Sequence, residues 1–118
     1  MASYSREKLS GSTNGKSVKV AATATAGTTI HTAQSGTAGW DEVYLWVTNT
    51  SASAVLLTIE FGGTTDPDNL IVKQLSIPAN SPPIPILTGQ MLQNSLVVAA
   101  FASVANVLLC TGYVNRIA

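Results

Sequence analysis

From position 18 onward, short runs of β-branched and other apolar residues alternate with polar ones, and turn-forming residues interrupt them at intervals of roughly 8 to 12 residues. This spacing predicts strands at about 18–25, 28–33, 42–49, 54–61, 70–77, 84–88, 95–101 and 106–115. In EVYLWVTN, Val43, Leu45 and Val47 fall on one face and Tyr44, Trp46 and Thr48 on the other, because strand side chains alternate with period two. In AVLLTIEF the stripe Val55, Leu57, Ile59 and Phe61 opposes Leu56, Thr58 and Glu60, which marks one face as core.

The connections carry their own signals. NTSASA reads as a hairpin loop, as does GGTTDPDN between Phe61 and Leu70. In IPANSPPIP the prolines Pro78, Pro82, Pro83 and Pro85 cannot donate to a ladder, so this stretch belongs at a sheet edge or corner where the chain changes sheets. The tract SLVVAAFASVANVLLCTGYV has helix-favouring alanines, but its valines and the polar break at ASVAN predict two strands joined by a short loop. Residues 1–17 show neither period and read as a flexible polar arm. The expectation is an all-β single domain over 18–118, a jelly-roll-like β-sandwich with an N-terminal arm.

Composition sharpens this. Of 118 residues 46% are apolar, enough for one sizeable core, whereas only 10% are charged against roughly 25% in an ordinary soluble domain. A surface so short of charge points to cover by other subunits. The charges are segregated: Arg6, Lys8, Lys16 and Lys19 stand against Glu7 at the start, while Asp41, Glu42, Glu60, Asp66 and Asp68 lie in the middle. A single cysteine, Cys110, excludes an internal disulfide and a cysteine-rich zinc site. The start of the chain lacks the apolar segment of a signal peptide, and the longest apolar tract falls short of about 20 residues, so no membrane association is expected.

Little here is arranged for chemistry. His31 is the only histidine and no nucleophile with an acidic partner frames it in the sequence. Cys110 in VLLCTG reads as a core thiol, where apolar surroundings make a poor nucleophile. GGTTDPDN lacks the alternating ligands and terminal Glu of a calcium loop, and the strand after it rules out a phosphate cradle leading into a helix. Asp41 and Glu42 beside Trp40 raise the thought of sugar chemistry, yet neighbours on a strand face opposite ways and make a poor acid/base pair. The basic start lacks interleaved aromatics, so no nucleic acid is expected. No enzyme activity, cofactor or metal is expected.

The polar start, the strand end LTIEFGG, the crossing IPANSPPIPILTG and the small-residue-rich finish AAFASVANVLLCTGYVNRI resemble small auxiliary structural proteins of tailed bacteriophages, nearest in style to head decoration, or cement, proteins. That resemblance implies a non-enzymatic virion protein, assembled in the host cytoplasm, which binds the assembled head as an oligomer, a trimer foremost, with the major capsid protein or another virion protein as partner. It implies Tyr4, Arg6, Lys8, Lys16 and Lys19 as arm contacts, and Trp40, Tyr44 and Trp46 as subunit-interface anchors. A head–tail connector or tail component is the alternative within the class. A carbohydrate-binding module or lectin, using the same aromatics, is the rival outside it.

Overall fold

The computed structural model describes residues 3–118 and contains nine strands among them: β1 (Tyr4–Lys8), β2 (Val18–Lys19), β3 (Thr28–Thr32), β4 (Trp40–Asn49), β5 (Val55–Phe61), β6 (Leu70–Ile77), β7 (Ile84–Leu92), β8 (Val97–Ala102) and β9 (Leu108–Ile117). They form two antiparallel sheets packed as a β-sandwich. Sheet A runs β1-β9-β4-β7, with β2 also on the edge of β9; sheet B runs β3-β8-β5-β6. The pairing is nested: β2 with β9, β3 with β8, β4 with β7, and β5 with β6.

The core lies between the sheets. Val43, Leu45 and Val47 of β4 face Val55, Leu57 and Ile59 of β5, closed by Ile30, Leu87, Val98, Leu108, Cys110 and Val114, all buried. A period-two pattern with one apolar face can bury itself only against a second such face, which is why two sheets form. Burial also pushes the Cys110 thiol up to about 12, so it is an inert core group.

The tract from 95 to 115 is two strands, β8 and β9, with Asn106 at φ 67° in the turn between them. The proline-rich crossing leaves β6 at the edge of sheet B and enters β7 at the edge of sheet A, where strands tolerate missing donors; the β4–β7 register shifts beside Pro85, between Leu45 and Trp46. Asn49 pins it, donating from Nδ2 to Ile77 O (3.0 Å) and from its main-chain N–H to Ser81 Oγ (3.0 Å). GGTTDPDN is the β5–β6 hairpin loop, where Asn69 Oδ1 accepts the Thr65 N–H (3.1 Å) and Asp66 pairs with Lys73.

The expected flexible arm over 1–17 is corrected. Met1 and Ala2 lie outside the described residues, but Tyr4–Lys8 form an edge strand registered on β9 from Tyr4↔Ile117 to Lys8↔Tyr113. Leu9 follows with 1% exposure, and the Gly11 N–H donates to Ile30 O (2.9 Å). An edge strand whose outer residues stay wet carries little apolar alternation, so its pattern resembles a coil. Among the predicted strands, the first shrinks to Val18–Lys19, because the chain then crosses between sheets over the buried Glu60. There Glu60 Oε1 accepts the Gly27 N–H (2.7 Å) and Oε2 accepts the Thr25 hydroxyl. β7 runs on to Leu92, beyond the expected end at 88.

Candidate interaction face

Strand register alone decides which side chains meet on the outside of sheet A, since residues paired across adjacent strands share a face. β4 buries Asp41, Val43, Leu45, Val47 and Asn49, so Trp40, Glu42, Tyr44, Trp46 and Thr48 point outward. Through the β9 register they align with Ile117, Asn115, Tyr113, Thr111 and Leu109, and through β1 these align with Tyr4, Arg6 and Lys8. Three rows result on the β1-β9-β4 surface: Tyr4, Ile117, Trp40; then Arg6, Asn115, Glu42; then Lys8, Tyr113, Tyr44.

The aromatics form a continuous row. Tyr44 and Tyr113 stack with centroids 5.0 Å apart and planes 19° apart, Trp46 leans on Tyr113 at 6.1 Å, and the Arg6 guanidinium lies 4.5 Å over the Tyr113 ring. That places a cation on a π face, an arrangement worth about 0.5–1 kcal/mol where exposed. Gly89, at φ 107°, passes close under the Tyr44 ring: a Cβ there would sit 3.1 Å from the Tyr44 hydroxyl. Tyr4 at 64% exposure and Met91 at 59% leave large apolar groups in solvent on the same side. In the middle row, Asn115 is only 7% exposed, and its Oδ1 is buried with no donor.

Of the residues expected to contact partners, Tyr4, Arg6, Lys8, Trp40, Tyr44 and Trp46 therefore share one face. Lys19 of β2 pairs with Leu109 further along it, while Lys16 sits in the loop after β1, exposed and outside the strand rows. Tyr113 and Asn115 were missed, although TGYVNRI places both, with Ile117, at period two. An open apolar hollow of about 260 Å³, lined by Trp40, Met91, Leu92, Gln93 and Leu96, adjoins the face. It falls below the roughly 300–1,000 Å³ of small-molecule pockets, so the face is better suited to a flat partner.

A second cluster lies inside, at the start of β4. His31 Nε2 is 2.7 Å from Asp41 Oδ2, and Arg116 grips the same carboxylate through two bonds, Nε to Oδ1 (2.9 Å) and a terminal nitrogen to Oδ2 (3.0 Å). Gln34 adds its main-chain N–H to Asp41 Oδ2 (3.2 Å) and ties Trp40 O to Ile117 O through Nε2 (both 2.9 Å). The Ser10 main-chain N–H donates to His31 Nδ1 (3.0 Å). With Nδ1 accepting, the ring proton sits on Nε2 and points at Asp41, so the imidazole is neutral. Burial holds its pKa below the usual 6.5, against the opposing pull of the Asp41 hydrogen bond. Burial pushes the Asp41 carboxyl up, but the Arg116 and His31 hydrogen bonds outweigh that and leave it below 3.8. Arg116 is raised by the same bond.

Ser10, His31 and Asp41 name the members of a hydrolytic triad without its geometry. Ser10 offers its main-chain N–H to the ring while its hydroxyl oxygen accepts the Thr32 N–H (2.7 Å), and the imidazole is 1% exposed. The cluster joins the loop after β1 to β3, β4 and β9, and no group of three or more metal-ligating side chains occurs among the described residues. Comparison with protein-family models, with characterised proteins and with solved structures finds no match to this chain.

Proposed function

We propose that this chain is a non-enzymatic structural protein of a tailed-bacteriophage particle, a decoration protein that binds the assembled head as an oligomer whose subunits meet through the outer face of sheet A. We read the sandwich as a jelly roll, supported by the nested pairing of β2 to β9. The observation that carries the functional reading is the gathering of Tyr4, Arg6, Lys8, Trp40, Tyr44 and Trp46 onto one sheet face, in a chain with so few charges elsewhere. Aromatic residues and arginine are the side chains enriched in interface cores. Tyr44 and Tyr113 spend a ring face on each other, which leaves less of the flat platform that a sugar ring needs.

The test is localisation on native particles. Phage particles purified from the source of the chain and labelled with antibody against it are expected to show label over the head surface. Label confined to the head–tail junction or tail would replace decoration by a connector or tail role. Absence from particles together with specific hits on a glycan array would favour a lectin and overturn the proposal.

A further inference from the structure

The middle row of the outer face has a symmetry of its own. Arg6 on β1 and Glu42 on β4 flank Asn115 on β9, one strand spacing to either side, about 4.8 Å each. A two-fold axis lying in the plane of the face and running along β9 would set a second copy face to face with the first. It would exchange the two flanking strands, so that Arg6 of each copy meets Glu42 of the other.

The adjacent rows obey the same operation: Tyr4 would meet Trp40 and Lys8 would meet Tyr44, an aromatic pair and a cation–π pair. β9 would lie on itself, and Asn115 would oppose Asn115. A half-turn of one of the two amides brings its Oδ1 to the seam, where the Nδ2 of the other copy donates to it, giving a donor to an atom that lacks one in the single chain. A perpendicular in-plane axis would instead set Arg6 on Arg6, which repels. Charge complementarity thus selects one orientation.

We propose that the outer face of sheet A docks a second copy of this chain in a two-fold pair, fixed by reciprocal Arg6–Glu42 bridges around an Asn115 amide pair. The inference rests on the reading of this face as a subunit interface. Glu42 is free for such a bridge: among the described residues the one hydrogen bond to its carboxylate is a long one from Trp40 Nε1 (3.4 Å). Arg6 keeps its seat on Tyr113 while its edge reaches across, since a guanidinium stacks through its plane and donates through its rim. The pair departs from the threefold assembly that the resemblance implies.

Sedimentation velocity on the full chain decides it. The wild type is expected at twice the 12.2 kDa chain mass at micromolar concentration. Arg6→Glu alone and Glu42→Arg alone are expected to weaken pairing at least about tenfold, since each sets like charges together. An equimolar mixture of the two, and the double variant Arg6→Glu/Glu42→Arg, are expected to recover the pair. A wild-type monomer or trimer, single variants that pair undiminished, or a double variant that stays apart would each overturn the proposal. Wild-type far-ultraviolet circular dichroism and a cooperative melt in the single variants guard against misfolding. A monomer that still labels phage heads would sink the pairing and leave decoration standing, whereas a pair absent from particles would do the reverse.

Discussion

His31 and Asp41 meet at 2.7 Å between Nε2 and Oδ2, both sealed from solvent, with the histidine neutral and the aspartate charged. Their pKa shifts have the same sign of consequence for stability. For each, the unfolded chain binds the proton more readily than the folded one. Stability from His31 is therefore complete above 6.5 and falls as pH drops below it, and that from Asp41 is complete above 3.8 and falls below that.

The melting temperature is expected to decline in two stages on acidification, the first starting near the ordinary histidine value. His31→Gln should flatten the first stage while leaving the second. A wild-type profile level from pH 7 down to 4 would contradict this.

Removing the carboxylate should cost more than removing the ring. Asp41→Ala leaves Arg116 and the His31 and Gln34 donors facing an empty site, and breaking a pair of this kind costs about 3 kcal/mol. Urea unfolding is the measurement, and a loss under about 1 kcal/mol would show the cluster to be ornamental.

Glu60 has no cationic partner among the described residues and is held by Gly27 N–H and the Thr25 hydroxyl. Glu60→Ala strands the Gly27 donor beneath the 20–27 crossing and should destabilise by about 1–3 kcal/mol. Faster hydrogen exchange at Gly27 in the variant would locate the effect, and an unchanged rate would refute it.

The start of the chain is expected to behave as part of the fold. Deleting residues 1–9 removes β1 and the buried Leu9, whose burial is worth about 2 kcal/mol, and should lower the melting temperature by roughly 10 °C. An unchanged value would restore the picture of a free arm.

Gly112→Ala should be the most damaging single methyl. A Cβ at Gly112 would sit 2.0 Å from the Tyr44 carbonyl oxygen, inside the β4–β9 ladder, so the two strands must part. Loss of the cooperative melt is expected, and a folded variant with wild-type stability would exclude this account.

Where alternation was strong, sequence and structure agree closely. Val55, Leu57 and Ile59 mark the inner face of β5, and β6 occupies residues 70–77 as expected. Cys110 lies where its apolar neighbours put it. What escaped were relations between distant residues. His31 finds Asp41 ten positions on and Arg116 eighty-five on, through three strands that only the sheet order brings together. One local sign existed: Asp41 is in phase with Val43, Leu45 and Val47, so a carboxylate on the core stripe already called for buried partners. β1 escaped for the opposite reason, since one ladder partner and a wet outer face leave an edge strand no apolar period to display.

The nested pairing has a kinetic side. β9 follows every other strand in the chain, yet it sits between β1 and β4, so sheet A lacks its middle until β9 has been synthesised. Until then the long β4 strand has an open edge, and the ends joined last are those farthest apart in sequence, the costliest loops to close. The nascent chain should therefore stay incomplete until β9 emerges, fold then as a whole, and depend on that ten-residue strand to hide the edge on which it would otherwise aggregate.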